Sequence, residues 1–188
     1  AELDGVTSVF VGDKDGLVQR WAIDNDLSGE LLAEYRFNSQ TEGCVVDALE
    51  RRLFVGEETT GIWSVDLDDY RRQAVAAVDR QLLVADVEGL DIYRQGSRSW
   101  LLASSQGDNS YVIYDLADNF APIGKFRIAE NEALKIDGTS ETDGIAIYSR
   151  ALSGFPAGIL VVQDGHNTQP AANQNFKIVD WLELERAL

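Results

Sequence analysis

Four segments of the chain repeat one arrangement of apolar and polar positions. SVFVGDKDGLVQRWAID (Ser8 to Asp24), RLFVGEETTGIWSVD (Arg52 to Asp66), WLLASSQGDNSYVIYD (Trp100 to Asp115) and GILVVQDGHNTQPAANQNFKIVD (Gly158 to Asp180) each pass from an apolar, β-rich stretch through a polar turn into an alternating stretch that ends in aspartate. That is the pattern of a β-hairpin. The first stretch is continuous enough to be buried on both faces. The second alternates, as in Trp21 and Ile23 or Tyr111 and Ile113, and is expected to face solvent on one side. About 44, 48 and 58 residues separate Gly12, Gly56, Ser104 and Val162, which brackets the four-strand blade of a β-propeller. The expected fold is therefore all-β, a β-propeller with about four blades in residues 1–188 and no second domain.

A second repeat precedes the last three hairpins: Glu42-Gly43-Cys44-Val45-Val46, Glu88-Gly89-Leu90-Asp91-Ile92 and Asp143-Gly144-Ile145-Ala146-Ile147. Each is an acid, a glycine and then alternating apolar residues, and each is read as an innermost strand. One such pair could simply mark a turn. Three at the same phase of a propeller repeat would instead ring the central channel with carboxylates at one end. Helical signal is weak: Tyr70 to Arg80 is expected to form a short surface helix or ordered loop, and Trp181 to Leu188 a final helical turn.

Composition narrows the chemistry. Sixteen Lys and Arg stand against 32 Asp and Glu, a net charge of −16, which argues against a nucleic-acid partner because phosphate neutralisation needs a basic face. No apolar run approaches a membrane span, the longest candidate lying around Ile159 to Val162. Cys44 is the single cysteine, so no internal disulfide forms. Methionine is absent even at position 1, and the first residues resemble the middle of a repeat, so the chain is expected to be processed or cut from something longer.

Carboxylates converging in a low-dielectric channel must protonate or be neutralised by a cation. A hard divalent ion such as calcium accepts six to eight oxygens from scattered ligands. With one His and one Cys, a nitrogen or sulfur site of the usual kind cannot be assembled. The oxygen-rich candidates are Glu42, Glu57, Glu58, Asp86, Glu88, Gln106, Asp137, Asp143 and Asp164. Asp86 and Glu88, two apart on an extended segment, face the same way. Asp66, Asp68 and Asp69 read as a solvated loop, Lys14 as a turn residue or a phosphate contact, and His166 as a polar turn residue. G-x-S-x-G, P-loop and G-x-G-x-x-G signatures are all missing.

SQTEG (Ser39 to Gly43), LFVGEE with GIW (Leu53 to Trp63), ADVEGLDIY (Ala85 to Tyr93), LLASSQGDNSYVIYD (Leu101 to Asp115), DGTSETDGI (Asp137 to Ile145) and VQDG with ANQNFKIVDW (Val162 to Trp181) resemble, in order, the alkaline calcium-dependent β-propeller phytases of 3-phytase type. The resemblance implies a six-bladed propeller, of which this chain matches about four C-terminal blades, and removal of phosphate from myo-inositol hexakisphosphate presented as its calcium complex. It places Glu42, Glu58, Asp86, Glu88 and Gln106 among the ligands of active-site calcium ions. It assigns Asp137, the Gly138 carbonyl and Asp164 to a separate structural calcium, and Lys14 to substrate phosphate. His166 stands where relatives often carry an acid. The aspartate-rich N-terminal signature of the family is absent, as are the basic residues of its first blades.

The implied mechanism is hydrolysis by metal-activated water, with calcium bridging an acidic protein and a polyanionic substrate. Two alternatives stand beside it: an incomplete or inactive phytase domain that binds calcium and phosphate without turnover, and a calcium-dependent propeller lactonase. A partial ring is also expected to seek a partner, either the missing N-terminal fragment or another copy of the chain. Export is expected from the resemblance, to a secreted or periplasmic location.

Overall fold

Alternation with period two decides which neighbour each side chain meets. In the Trp100 to Asp115 hairpin, Leu102, Tyr111 and Ile113 point to one side and Leu101, Ala103, Val112 and Tyr114 to the other, and all seven are buried. The hairpin therefore lies between two other sheets, each packed on one of its faces.

The computed structural model describes residues 1–188, which form fifteen strands, one α-helix and a single 3-10 turn at Gln106–Asp108. Strands β1 (Glu2–Leu3), β2 (Val6–Gly12), β3 (Leu17–Ile23) and β4 (Gly29–Arg36) form the first sheet. The second holds β5 (Thr41–Asp47), β6 (Arg52–Glu57), β7 (Gly61–Asp66) and β8 (Arg72–Ala77). The third holds β9 (Val87–Gln95), β10 (Arg98–Ser105), β11 (Ser110–Asp115) and β12 (Ala121–Phe126), and the last β13 (Ile145–Tyr148), β14 (Ile159–Asp164) and β15 (Asn175–Asp180). Every sheet is an antiparallel meander in chain order. The four expected hairpins are the pairs β2–β3, β6–β7, β10–β11 and β14–β15.

The aspartates that end the hairpins have a shared task. Asp24, Asp66 and Asp115 each accept backbone N–H groups two to four residues on, folding the turn into the next strand. Asp180 does the same for Leu182 and caps helix α1 (Trp181–Ala187), the helical turn expected at this end. Three apolar clusters lie between consecutive sheets. One joins Val18 and Tyr35 to Leu53 and Val55, the next joins Phe54 and Ile62 to Leu101 and Val112, and the last joins Leu102 and Tyr111 to Leu160 and Val162. Trp181 of α1 closes the last cluster, stacked on Tyr93 with ring centroids 3.9 Å apart.

Three expectations are corrected. Arg72–Ala77 within Tyr70 to Arg80 is the outer strand β8, paired to β7, and not a helix or loop. The second stretch of the middle hairpins does not face solvent, because a sheet packs on each side: β7 and β11 are almost wholly buried. Conversely, β2 of the first sheet is buried on one face only, and Val9 and Val11 are exposed. Cys44 is half-buried beside the first of the apolar clusters. No helix is long and apolar enough to cross a membrane.

Candidate metal centre

The acid-glycine pairs build the centre, and the glycines work by close approach. A Cβ on Gly43 would stand 2.2 Å from the Glu88 carbonyl oxygen and 2.8 Å from the Leu90 nitrogen. One on Gly89 would stand 2.8 Å from both the Asp143 oxygen and the Ile145 nitrogen. The innermost strands can only approach this closely because these positions lack side chains. The neighbouring acids are thereby drawn to one place. Carboxylate oxygens of Glu42, Glu58 and Glu88 lie within 4.8 Å of one another.

Each acid is set by a strand end. Glu42 and Glu88 are the second residues of β5 and β9, and Glu58 follows β6. The Glu58 backbone is clamped on both sides, its N–H donating to Gln40 (3.0 Å) and its carbonyl accepting from Val87 (2.9 Å). Asp86 directly precedes β9, and its carbonyl accepts the Gln106 N–H at 2.9 Å. Glu88 is buried, and burial together with the charges of Glu42, Asp143, Asp86 and Glu58 pushes its pKa up to about 8. Glu58 is raised by burial and by Asp86 and Glu42, while Lys14, on the exposed β2–β3 turn, is close enough for its charge to oppose that rise. Gln106 joins the group through Asp143, whose Oδ1 accepts its Nε2 at 2.6 Å. Glu42, Glu58, Asp86, Glu88, Gln106 and Lys14 are thus gathered at one end of the sheets.

One participant, Gln40, extends the expected set, and Asp143 of that set joins the group. Gln40 donates its Nε2 to Glu42 and, at 3.2 Å, to Glu58, tying two of the three clustered acids. Its signal in the sequence is only its place two residues before Glu42. Asp143 carries the innermost-strand pattern and joins the cluster electrostatically. Glu57, next to Glu58, plays a different part: it is fully buried and accepts from the N–H of Asn38 and Ser39, the Ser39 hydroxyl and the Trp63 indole at 2.7–2.9 Å. Burial would lift its pKa, and these donors outweigh burial and lower it. Glu57 is a brace for the β4–β5 loop.

Asp137, Gly138 and Asp164 lie apart from this group. Asp164 is fully buried at the end of β14, its Oδ1 accepting the Ser140 N–H at 3.0 Å. Asp137 Oδ2 accepts the Thr168 N–H and, at 2.8 Å, its hydroxyl. The buried Lys177 ammonium lies between the two acids, 2.7 Å from Asp137 Oδ1 and bonded to Asp164 Oδ2. Lys177 holds the Asp137 carboxyl far below the ordinary range, helped by Thr168. His166 is exposed.

An all-oxygen set of converging carboxylates, one of them protonated near neutral pH unless a cation arrives, suits a hard divalent ion. Known proteins carry the same chain pattern. The phytase family model matches residues 6–188. A 3-phytase of Bacillus subtilis (strain 168) is 40% identical, the match covering 86% of this chain and 44% of that protein. The chain therefore spans less than half the length of this relative. The crystal structure of the computationally designed Ika4 protein aligns with a TM-score of 0.54 at 13% identity over 92% of this chain and 84% of that one. The structure of U3-55K gives 0.57 at 14% identity over 92% and 48%. Those two likenesses concern the fold alone. The family model and the Bacillus relative together establish that the chain belongs to the phytase family.

Proposed function

We propose that this chain is part of a calcium-dependent phytase that hydrolyses phosphomonoesters of phytate, and that Glu42, Glu58 and Glu88 hold the cation. The observation that carries the reading is the convergence of those three carboxylates at the rim of the inner strands, in a family whose Bacillus relative is a 3-phytase.

Charge explains the need for the ion. Protein and phytate are both polyanions, so they repel unless cations stand between them. Bound calcium supplies Lewis-acid polarisation of a phosphoryl oxygen and a water of lowered pKa. Glu42, Glu58 and Glu88 bind, and Glu88 gives up its proton on binding. Asp86 adds negative charge from the same strand end, and Gln106 steadies Asp143 beside it. Lys14 contributes an exposed positive charge that meets a substrate phosphate. None of these roles needs a covalent phosphoenzyme.

The four sheets form an arc of a larger propeller in this reading. Support comes from both ends. The first sheet shows Val9, Val11 and Leu31 to solvent, and the last shows Phe176 and Ile178, 72% and 62% exposed. Gly43 packs on β9 and Gly89 on the entry to β13, whereas a Cβ on Gly144 would meet nothing within 4 Å. Preceding blades or a second copy would cover such faces.

The test is inorganic phosphate release from phytate by the folded chain, with calcium and with chelator. Chelator-sensitive release is the expected result. Release that persists in chelator would contradict the proposal, and none from calcium-loaded chain would favour the alternative, a phytase part that binds calcium without turnover.

A further inference from the structure

The acids Asp137 and Asp164, to which family resemblance assigns a structural calcium, do not fit that ion. Four carboxylate oxygens are available: three accept hydrogen bonds, and the fourth, Asp137 Oδ1, accepts none but lies 2.7 Å from the Lys177 nitrogen as an ion pair. Asp137 Oδ2 takes two bonds from Thr168, and Asp164 Oδ1 takes the Ser140 N–H. The remaining two, Asp137 Oδ1 and Asp164 Oδ2, converge on the Lys177 ammonium. Those are the oxygens a metal ion between the acids would use. The environment is closed as well: the Lys177 side chain is 6% exposed, that of Asp164 not at all and that of Asp137 12%. A calcium ion needs six to eight oxygens, and here it would first have to expel a buried ammonium from two desolvated anions.

We propose that Lys177 is a tethered cation that takes the place of the structural calcium. Its stem rises from β15 opposite Val162 of β14, and its ammonium bridges Asp164, at the end of β14, to Asp137, in the loop before β13. Ser140 and Thr168 extend the same clasp through Asp164 and Asp137. The clasp secures the loop that leads to Asp143, which lies beside the clustered acids. That loop therefore keeps its place without a metal, and calcium dependence is confined to the Glu42, Glu58 and Glu88 group.

The direct test is equilibrium dialysis of the full chain with radioactive calcium. Asp137→Asn is expected to bind as many calcium ions per chain as the unaltered protein, while Glu58→Gln binds fewer. Loss of a calcium ion from Asp137→Asn would overturn the proposal. Because Asp137→Asn exposes part of a buried cluster and can unfold the chain, a second measurement uses the unaltered protein. The buried Lys177 ammonium should give a slowly exchanging 15Nζ resonance that keeps its position during a calcium titration. Displacement of that resonance as calcium fills the protein would equally overturn it. Neither outcome depends on phytate turnover, so the clasp and the phytase reading stand or fall separately.

Discussion

Replacing Glu88 with glutamine should stabilise the metal-free protein at alkaline pH and destabilise the calcium-loaded one. In the folded chain the Glu88 carboxyl releases its proton near 8, against an ordinary 4.5, because it is buried among Glu42, Asp143, Asp86 and Glu58. A raised pKa means that the folded state binds the proton more tightly than the unfolded state does. The stabilising contribution is whole below about 4.5 and is lost as pH rises through about 8. At about 1.4 kcal/mol per pH unit the full effect is at most about 5 kcal/mol. Water at the rim and sharing of charge among the neighbours reduce it to about 2 kcal/mol. For a chain of this size that is a rise in Tm of about 4–8 °C for Glu88→Gln over the unaltered protein. The assay is thermal unfolding in chelator at pH 5, 7 and 9. The two proteins should melt together at pH 5 and separate by pH 9. Saturating calcium should reverse the order, since an ion at about a hundred times its Kd adds about 2.7 kcal/mol to a protein that binds it. Parallel melting curves across the whole pH range in chelator would refute the reasoning.

Gly43→Ala forces its Cβ against the Glu88 carbonyl at 2.2 Å, so β5 and β9 must separate; chemical denaturation should show a loss of about 3 kcal/mol, and calcium affinity should fall with it. Glu57→Gln turns one end of a fully bonded acceptor into a donor facing N–H groups, and should cost about 2–4 kcal/mol by urea unfolding. The unaltered protein should itself lose the Glu57 contribution as pH falls below the ordinary 4.5, because that carboxyl is held lower when folded. Lys14→Ala should raise KM for phytate a few-fold, an effect of about 1 kcal/mol that shrinks with added salt, and leave kcat in place.

What the chain reveals in its sequence follows from how local the cause is. The hairpins are legible because alternation and an Asx turn are decided within a few residues, as at Asp24 and Asp66. Glu42, Glu88 and Asp143 are legible because a repeated position in a repeated fold points to one place, whereas Glu58 reaches them from the end of β6. The reason for Gly43 and Gly89 is not local: each glycine accommodates the backbone of the next innermost strand, not a turn of its own. The strand β8 carries the weakly patterned run RQAVAA and is specified by the edge of β7 that it covers. FKIVD inverts the usual rule outright. Phe176 and Ile178 face solvent while Lys177 is buried, because the inward side offers two carboxylates. A buried lysine with distant acidic partners has no signature in its own neighbourhood.

The measurement that bears most directly on the account is calorimetric titration of calcium into the folded chain beside Glu42→Gln and Glu58→Gln. The account predicts saturable binding to the unaltered protein, accompanied at pH 7 by proton release as Glu88 ionises, and both heat and proton release sharply diminished in each variant. Calcium binding of unchanged affinity in both variants would show that the three clustered glutamates are not the cation site.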